Sequence, residues 1–419
     1  MHFTPIAPMD LKGTIAPHLI EKAEAICEQS AILTGGHNQS LLDEVQELLR
    51  ITNSYYSNRI ESEGTHPINI EKAMKKEFKE DAKEKNLQLL SLSHIRTQKE
   101  VEALIASGAS AFDTEFVKSI HRSFYADPQL DSFLSVMDEK EKQPIRMTPG
   151  ELREYDVYIG KHIAPRADAV SGLMGEFQHL YESSTKHLPH SVKLVYALSS
   201  HHRLVWIHPF LDGNGRTSRL ALDAAILSLG LKGYGLWNMS RGLARGVDDY
   251  KKALQYADME RQGATDGRGA LSLMALTHFV DYMLDIALDQ VQFMGGCLKM
   301  DKLSHRIEKY IILSRSGMFA IPPLPKYTEG VYKHLLLHGS SQKGAITSAL
   351  GISERTGTTL FRELSDAGVI TSDSAKSPIS LRFTMHMASY IFPDLFPIAE
   401  EGEPMEPKKS RGRPKKITH

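Results

Sequence analysis

Apolar residues recur at helical spacing along most of the first 315 positions of this chain. Leu41, Leu42, Val45, Leu48, Leu49 and Thr52 share one helix face, and Asn38 to Ser40 can cap that helix. It and a preceding helix account for residues 15–63, and its end delivers Glu61. Residues 69–107 stay helical, with the charged stretch from Lys75 to Lys85 as a solvated face. Phe116, Ile120 and Phe124 recur at four-residue intervals, and Val170, Leu173, Met174, Phe177, Leu180 and Tyr181 form an amphipathic stripe. Residues 191–206 are apolar on several faces, which predicts a buried central helix. A helix from Arg216 carries Leu220, Ala221, Ala224, Ala225 and Leu227, small enough for close packing, and one or two more helices fill 270–315. Gln143 to Ala164 interrupts the pattern and reads as a hairpin. The chain has no internal repeat, and its class is mainly α.

The character changes at Ile321-Pro-Pro-Leu-Pro325, a stiff linker. Val331 to Leu337 is a short helix. Residues 343–350, the turn at Gly351, and Ser353 to Leu364 with Ser353 as N-cap read as helix–turn–helix. Val369 to Ser372 and Ile379 to Phe383 would form a wing, so the segment resembles a winged helix. That resemblance places Arg355, Thr356, Thr358, Thr359 and Arg362 on a recognition helix near DNA bases or phosphates. The tail gathers six positive charges between Lys408 and Lys416, and its Arg411-Gly-Arg413-Pro414 resembles an AT-hook core. Such a segment suits the narrow A·T minor groove.

Composition narrows the class. Apolar residues make up 41% and charged residues 24% of the 419, the profile of a globular protein. A net charge of −1 gives no global pull toward nucleic acid or membrane. Cys27 and Cys297 are the only cysteines, too few for a disulfide framework or a thiolate zinc site, and a reducing cytoplasm is expected. The opening residues lack the features of a signal peptide, and no apolar run is long enough to span a membrane.

The densest chemistry lies in residues 208–219, HPFLDGNGRTSR. Gly213, Asn214 and Gly215 can turn successive N–H groups into one concavity at the start of a helix, where the dipole favours phosphate. Arg216 and Arg219 share a helix face and can fork onto phosphate oxygens. Asp212 is a hard oxygen ligand suited to Mg²⁺ held jointly with phosphates. His208 can take a proton from an attacking hydroxyl.

This run resembles the signature of the Fic family, HPFx[D/E]GNGRxxR, at every specified position. The resemblance implies a Fic-type helical bundle with a β-hairpin flap, followed here by the small winged helix. It implies transfer of AMP from ATP to a hydroxyl side chain of a target protein. His208 would be the base, and Asp212 would hold Mg²⁺. Gly213, Asn214 and Gly215 would bind the α- and β-phosphates, with Asn214 near the reacting phosphorus. Arg216 would take the β-phosphate and Arg219 the γ-phosphate, and Phe210 would anchor the loop. Gly150-Glu-Leu-Arg153 followed by Val157, Tyr158, Ile159 and Gly160 resembles the flap that holds a target by strand addition. Tyr250 lies in a region resembling the closure of the nucleotide pocket and would contact adenine.

Many relatives carry an inhibitory helix with [S/T]xxxE[G/N]. Ser57 and Glu61 fit that spacing, and Ser62 departs from the usual Gly or Asn. Glu63-Gly64 supplies the acid–glycine pair, but Arg59 then stands where Ser or Thr belongs. Glu61 is therefore the expected inhibitor, paired with Arg219 where a γ-phosphate would go. The expected domains are 1–105 with the inhibitory helix, 106–315 as the catalytic unit, 316–327 as linker, 328–398 as winged helix and 399–419 as a disordered basic tail. The expected partners are a target-protein hydroxyl and DNA, with no membrane and with a homodimer left open. An alternative is a DNA-binding regulator whose Fic domain senses nucleotide or removes AMP.

Overall fold

The computed structural model describes residues 15–137, 143–159, 162–185, 188–267, 269–374 and 376–397. Gly160 and the tail with Arg411 and Arg413 lie outside the described residues.

The chain opens with α1 (Pro17–Ile32), α2 (Gln39–Ile60), α3 (Pro67–Met74), α4 (Ala82–Ala106) and α5 (Thr114–Phe124). Caps set several starts. The side chains of Asn38, Asp81 and Asp113 accept the N–H groups of Leu41, Glu84 and Phe116. The charged stretch is not one continuous helix: Lys76 turns left-handed at φ 66° and Asp81 restarts the helix. A 3₁₀ turn (Pro128–Leu134) leads into β1 (Ser135–Met137), which pairs antiparallel with β2 (Pro144–Arg146). A second hairpin joins β3 (Tyr158–Ile159) to β4 (His162–Ile163).

Then come α6 (Ala167–Thr185), α7 (His190–Ile207), α8 (Asn214–Ser228), α9 (Ser240–Arg245), α10 (Val247–Ala257), α11 (Leu273–Leu298) and α12 (Met300–Arg315). The expected central helix is α7, which packs against α1, α6, α8 and α11. Ala221, Ala224 and Ala225 of α8 are buried, so α8 approaches α4 and α7 closely. Helix α2 lies across α4 and α9. Among the described residues the architecture is mainly α with three two-stranded sheets.

The last part holds α13 (Thr328–His338), α14 (Lys343–Leu350), α15 (Glu354–Asp366), β5 (Ile370–Thr371), β6 (Ser380–Leu381) and α16 (Met385–Ile391). Gly351 ends α14 in the left-handed region, and Ser353 caps α15. The strands are shorter than the sequence suggests, and Ser341 bridges to Ile379 beside them.

This part is not held off by a spacer. Leu324 of the Pro-rich stretch is buried, and its N–H donates to Ser314 Oγ at 3.1 Å. Residues from α1 to Phe396 share one continuous hydrophobic core. Asn38 Nδ2 donates to Leu336 O at 2.8 Å, Phe383 N–H to Glu44 Oε1 at 2.6 Å, and Tyr56 O–H to Leu395 O at 2.9 Å. Periodicity identifies an apolar face but not the element that covers it, which is why a linker was expected.

Glu44 lies in this seam, and burial pushes its carboxyl up to about 7 from 4.5, against the Phe383 N–H and Arg382. A raised carboxyl pKa means that the folded state binds the proton more tightly than the unfolded chain does. Stability from this group is therefore lost as pH rises from about 4.5 to about 7. Glu44→Gln, which keeps the acceptor, is expected to raise stability at pH 8 by roughly 1–3 kcal/mol and by much less at pH 5, as thermal melts at both pH values would show.

Candidate functional site

Helix α7 ends at His208, whose backbone is left-handed at φ 50° and ψ 63°. A non-glycine residue there stores roughly 1–2 kcal/mol, so its surroundings must hold it. Arg153 does much of this. Its Nε donates to His208 O at 2.8 Å and its backbone N–H to Pro209 O at 2.9 Å. Asn214 closes the loop from the other side: its Oδ1 accepts the Phe210 N–H at 2.9 Å, and its Nδ2 donates to Phe210 O at 2.8 Å. Phe210 is fully buried and stacks on His121 at 4.0 Å. His121 Nδ1 accepts the Gly150 N–H at 2.8 Å and Nε2 faces Asp212 O at 3.1 Å, so the ring is neutral with its proton on Nε2. Burial pushes the His208 ring down to about 3, helped by His162 and Arg153. A neutral imidazole is the form that accepts a proton.

Gly213 begins the next turn at φ 75°, and α8 starts at Asn214. A Cβ on Gly213 would stand 2.6 Å from Tyr125 Oη, and one on Gly215 would collide with Glu61 Oε1. A carboxylate is thus packed against the first turn of α8, the end of a helix that favours an anion. Arg219, nearly fully buried, donates to Ser57 Oγ at 3.0 Å, Ser57 O at 2.9 Å and Glu61 Oε1 at 2.8 Å. Arg216 donates to Glu63 Oε2 at 2.5 Å and Tyr125 Oη at 2.8 Å, while its buried Nε meets no acceptor. Burial works against the charge on Glu61, yet Arg219 and Arg216 hold its carboxyl below the usual value.

The end of α2 explains how two acids two residues apart reach two arginines. Glu61 is the C-cap, Ser62 turns left-handed at φ 64°, and the Glu63 N–H donates back to Asn58 O at 2.9 Å. That is a helix stop that glycine or asparagine fills most easily, so Ser62 adopts it with some strain.

A cavity of about 420 Å³ opens over this cradle. Its floor is His208 and Leu211 to Arg216, and Glu61 and Glu63 close one side. Val136, Met137 and Ile145 of the first hairpin and Tyr155 to Val157 before the second form the roof. Asp212 is exposed toward it. Among the described residues no three His, Cys, Asp or Glu side chains are grouped to hold a metal. Asp212 beside the open Arg216 Nε and the helix start therefore fits Mg²⁺ that shares its ligands with a polyphosphate.

The structure brings His208, Asp212 to Arg216, Arg219, Ser57, Glu61 and Val157 together. Tyr158 and Ile159 form β3. Two expectations change. Tyr250 is buried with its hydroxyl 2.7 Å from His201 Nε2 and does not line the cavity. The Asn214 side chain is committed to Phe210, leaving its backbone N–H for an anion. Arg355, Thr356, Thr358 and Arg362 are exposed on α15, away from this site. Sequence reasoning missed Glu63 on Arg216, Tyr125 against both Gly213 and Arg216, and the β1–β2 hairpin. The Glu63-Gly64 pair was the one local signal for the first of these.

Residues 111–226 match the Fic/DOC family. Over 81 residues the chain is 42% identical to a protein adenylyltransferase Fic from Drosophila grimshawi and 44% identical to one from Aedes aegypti. Each match covers 19% of this chain and 16% of the relative, so the chain spans about a sixth of the length of those curated relatives. A solved structure of a Fic family protein from Desulfovibrio desulfuricans G20 shares the fold at a TM-score of 0.51 and 18% identity, over 89% of this chain and 98% of that one.

Gly213→Ala tests the cradle. Its Cβ would collide with Tyr125 at a left-handed position, so a loss of roughly 1–3 kcal/mol in stability is expected, which thermal melts would read.

Proposed function

We propose that this chain, a Fic/DOC-family protein through its residues 111–226, transfers AMP from ATP to a hydroxyl of a target protein and of itself, and is silenced by its own α2. The observation that carries this reading is the neutral His208 held beside a helix start whose arginines already grip anionic groups. In the reaction, His208 takes the proton of the attacking hydroxyl and the oxygen bonds to the α-phosphorus. The bond to the β-phosphate oxygen breaks and pyrophosphate leaves. Gly213, Gly215, the Asn214 N–H and Arg216 position the α- and β-phosphates, and Arg219 takes the γ-phosphate. Mg²⁺ at Asp212 would neutralise charge on the phosphates.

Inhibition is electrostatic and steric together. A triphosphate and the Glu61 carboxylate compete for Arg219 and for the space at Gly215. Glu63 competes for Arg216 in the same way, so ATP in a productive pose displaces two carboxylates. Intact-mass spectrometry with Mg²⁺ and ATP tests the reading. Glu61→Gly is expected to raise the AMP adduct at least about tenfold and Glu63→Ala to add to it, since each variant removes a buried or half-buried charge pair. His208→Ala should abolish the adduct while ATP still binds. An adduct that persists without His208 removes it as the base.

The C-terminal part is read as a winged helix that meets DNA through Arg355, Thr356, Thr358 and Arg362, with Arg411 and Arg413 of the tail. Support comes from the left-handed Gly351 turn between α14 and α15 and from the exposure of that α15 face. Glu354, Glu363 and Asp366 share α15, so cationic help must come from the tail. Removing residues 399–419 should weaken DNA binding and flatten its dependence on salt in filter or anisotropy titrations; an unchanged slope excludes the tail. The nucleotide-sensing alternative draws on one contact: Tyr56, next to Ser57, is bonded to Leu395. A change in DNA affinity on adding ATP, with no adduct in any variant, would favour it.

A further inference from the structure

Helices α2, α4 and α8 and the loop after α8 enclose a second cavity, of about 550 Å³. It shares no lining residue with the cavity over the cradle. Leu49, Val101, Leu220, Leu227 and Trp237 give it an apolar wall. Asp223, half-buried on α8, gives it a charge. Asp223 Oδ1 accepts the Tyr234 O–H at 2.7 Å, and Oδ2 accepts Asn53 Nδ2 at 3.0 Å. A carboxylate offers about four acceptor sites, so about half of them stay open. Behind it Asn53 is buried, with its Nδ2 also 3.2 Å from Gln98 Oε1, and its Oδ1 meets no donor. The buried Oδ1 of Asn238, in the cavity wall, meets none either. The donors nearby are engaged. Arg50 forks onto Glu102 and reaches Glu47, and Trp237 Nε1 donates to Ser30 Oγ at 2.9 Å. The Gln46 amide, also in the wall, brings an acceptor as well as donors.

We propose that this cavity is a second binding site, for a small organic cation whose amidinium or ammonium head donates to Asp223 and whose body lies on the apolar wall. Charge decides the class. Arg50 and Glu102 cancel, and Arg219, one turn back on α8, is paired with Glu61. The Asp223 carboxylate is left without a cationic partner. Burial pushes its carboxyl up to about 6 from 3.8, against the bonds from Tyr234 and Asn53. Burial also pushes the Tyr234 hydroxyl well up, so Tyr234 stays a neutral donor. A cation at Asp223 relieves the isolated charge and adds charge-assisted bonds. An anion would meet that carboxylate and engaged donors, and a neutral guest would leave the charge unpaired. The orphan Asn238 Oδ1 takes a further donor of the ligand. An apolar wall with a few convergent polar groups is how small-molecule sites are built.

The test titrates full-length protein at pH 8 with benzamidine, with benzamide, which has the same shape and no charge, and with benzoate. Calorimetry should show one benzamidine per chain, benzamide at least about tenfold weaker, and no benzoate. Of the two indole N–H resonances, that of Trp237, assigned through Trp237→Phe, should shift with benzamidine. Asp223→Asn, which keeps an acceptor for Tyr234, should weaken benzamidine at least about tenfold. Ala106→Trp, at the exposed rim, should block it without touching a polar group. Thermal melts without probe confirm that each variant is folded. Glu61→Gly should leave the affinity unchanged, which separates this cavity from the carboxylates over the cradle. No benzamidine binding, or binding that survives both Asp223→Asn and Ala106→Trp, overturns the proposal. So does binding that is lost in Glu61→Gly and leaves the Trp237 resonance unmoved.

Discussion

The grip of Arg219 on the end of α2 is the interaction on which the rest depends. A guanidinium this deeply buried requires acceptors on every side, and Ser57 and Glu61 supply them from another helix. Removing one member of such a pair leaves the other charged and stranded, at a cost of several kcal/mol. The contact therefore holds α2 against α8 and covers the start of α8 at once. The bonds that pack α2 also occupy the arginine, and any agent that opens the site must supply Arg219 with another anion.

Around that contact the loop is built from backbone acceptors. His208, Pro209 and Phe210 each have a carbonyl or N–H taken by Arg153 or Asn214, which offsets the strained backbone of His208. The His208 ring itself takes no part in that scaffold, so a change at the ring need not disturb the loop.

The sequence announces this site because its chemistry is contiguous. His208 to Arg219 span one loop and one helical turn, and the spacing of Ser57 and Glu61 survives as a local pattern. The long helices are equally legible, from the stripes that end in Leu49 or Tyr181. What escapes is short or non-local. β1 has three residues, too few for an alternation, and α9, α10 and α16 are brief. Tyr250 reads as a pocket residue by position, yet its hydroxyl turns inward to His201. Glu63 and Asp223 gain their meaning from partners 153 and 170 residues away.

The seam between α2 and the C-terminal part has a consequence for how the molecule responds to force and heat. Glu44, Tyr56 and Asn38 tie one helix to three separate stretches of that part, and Leu324 knits the proline segment into the same core. The two halves therefore share a single mechanical frame, with α2 as its common beam. Melting the C-terminal part would strip the beam of its support, and a motion imposed on it from outside would bear on the helix whose end carries the carboxylates over the cradle.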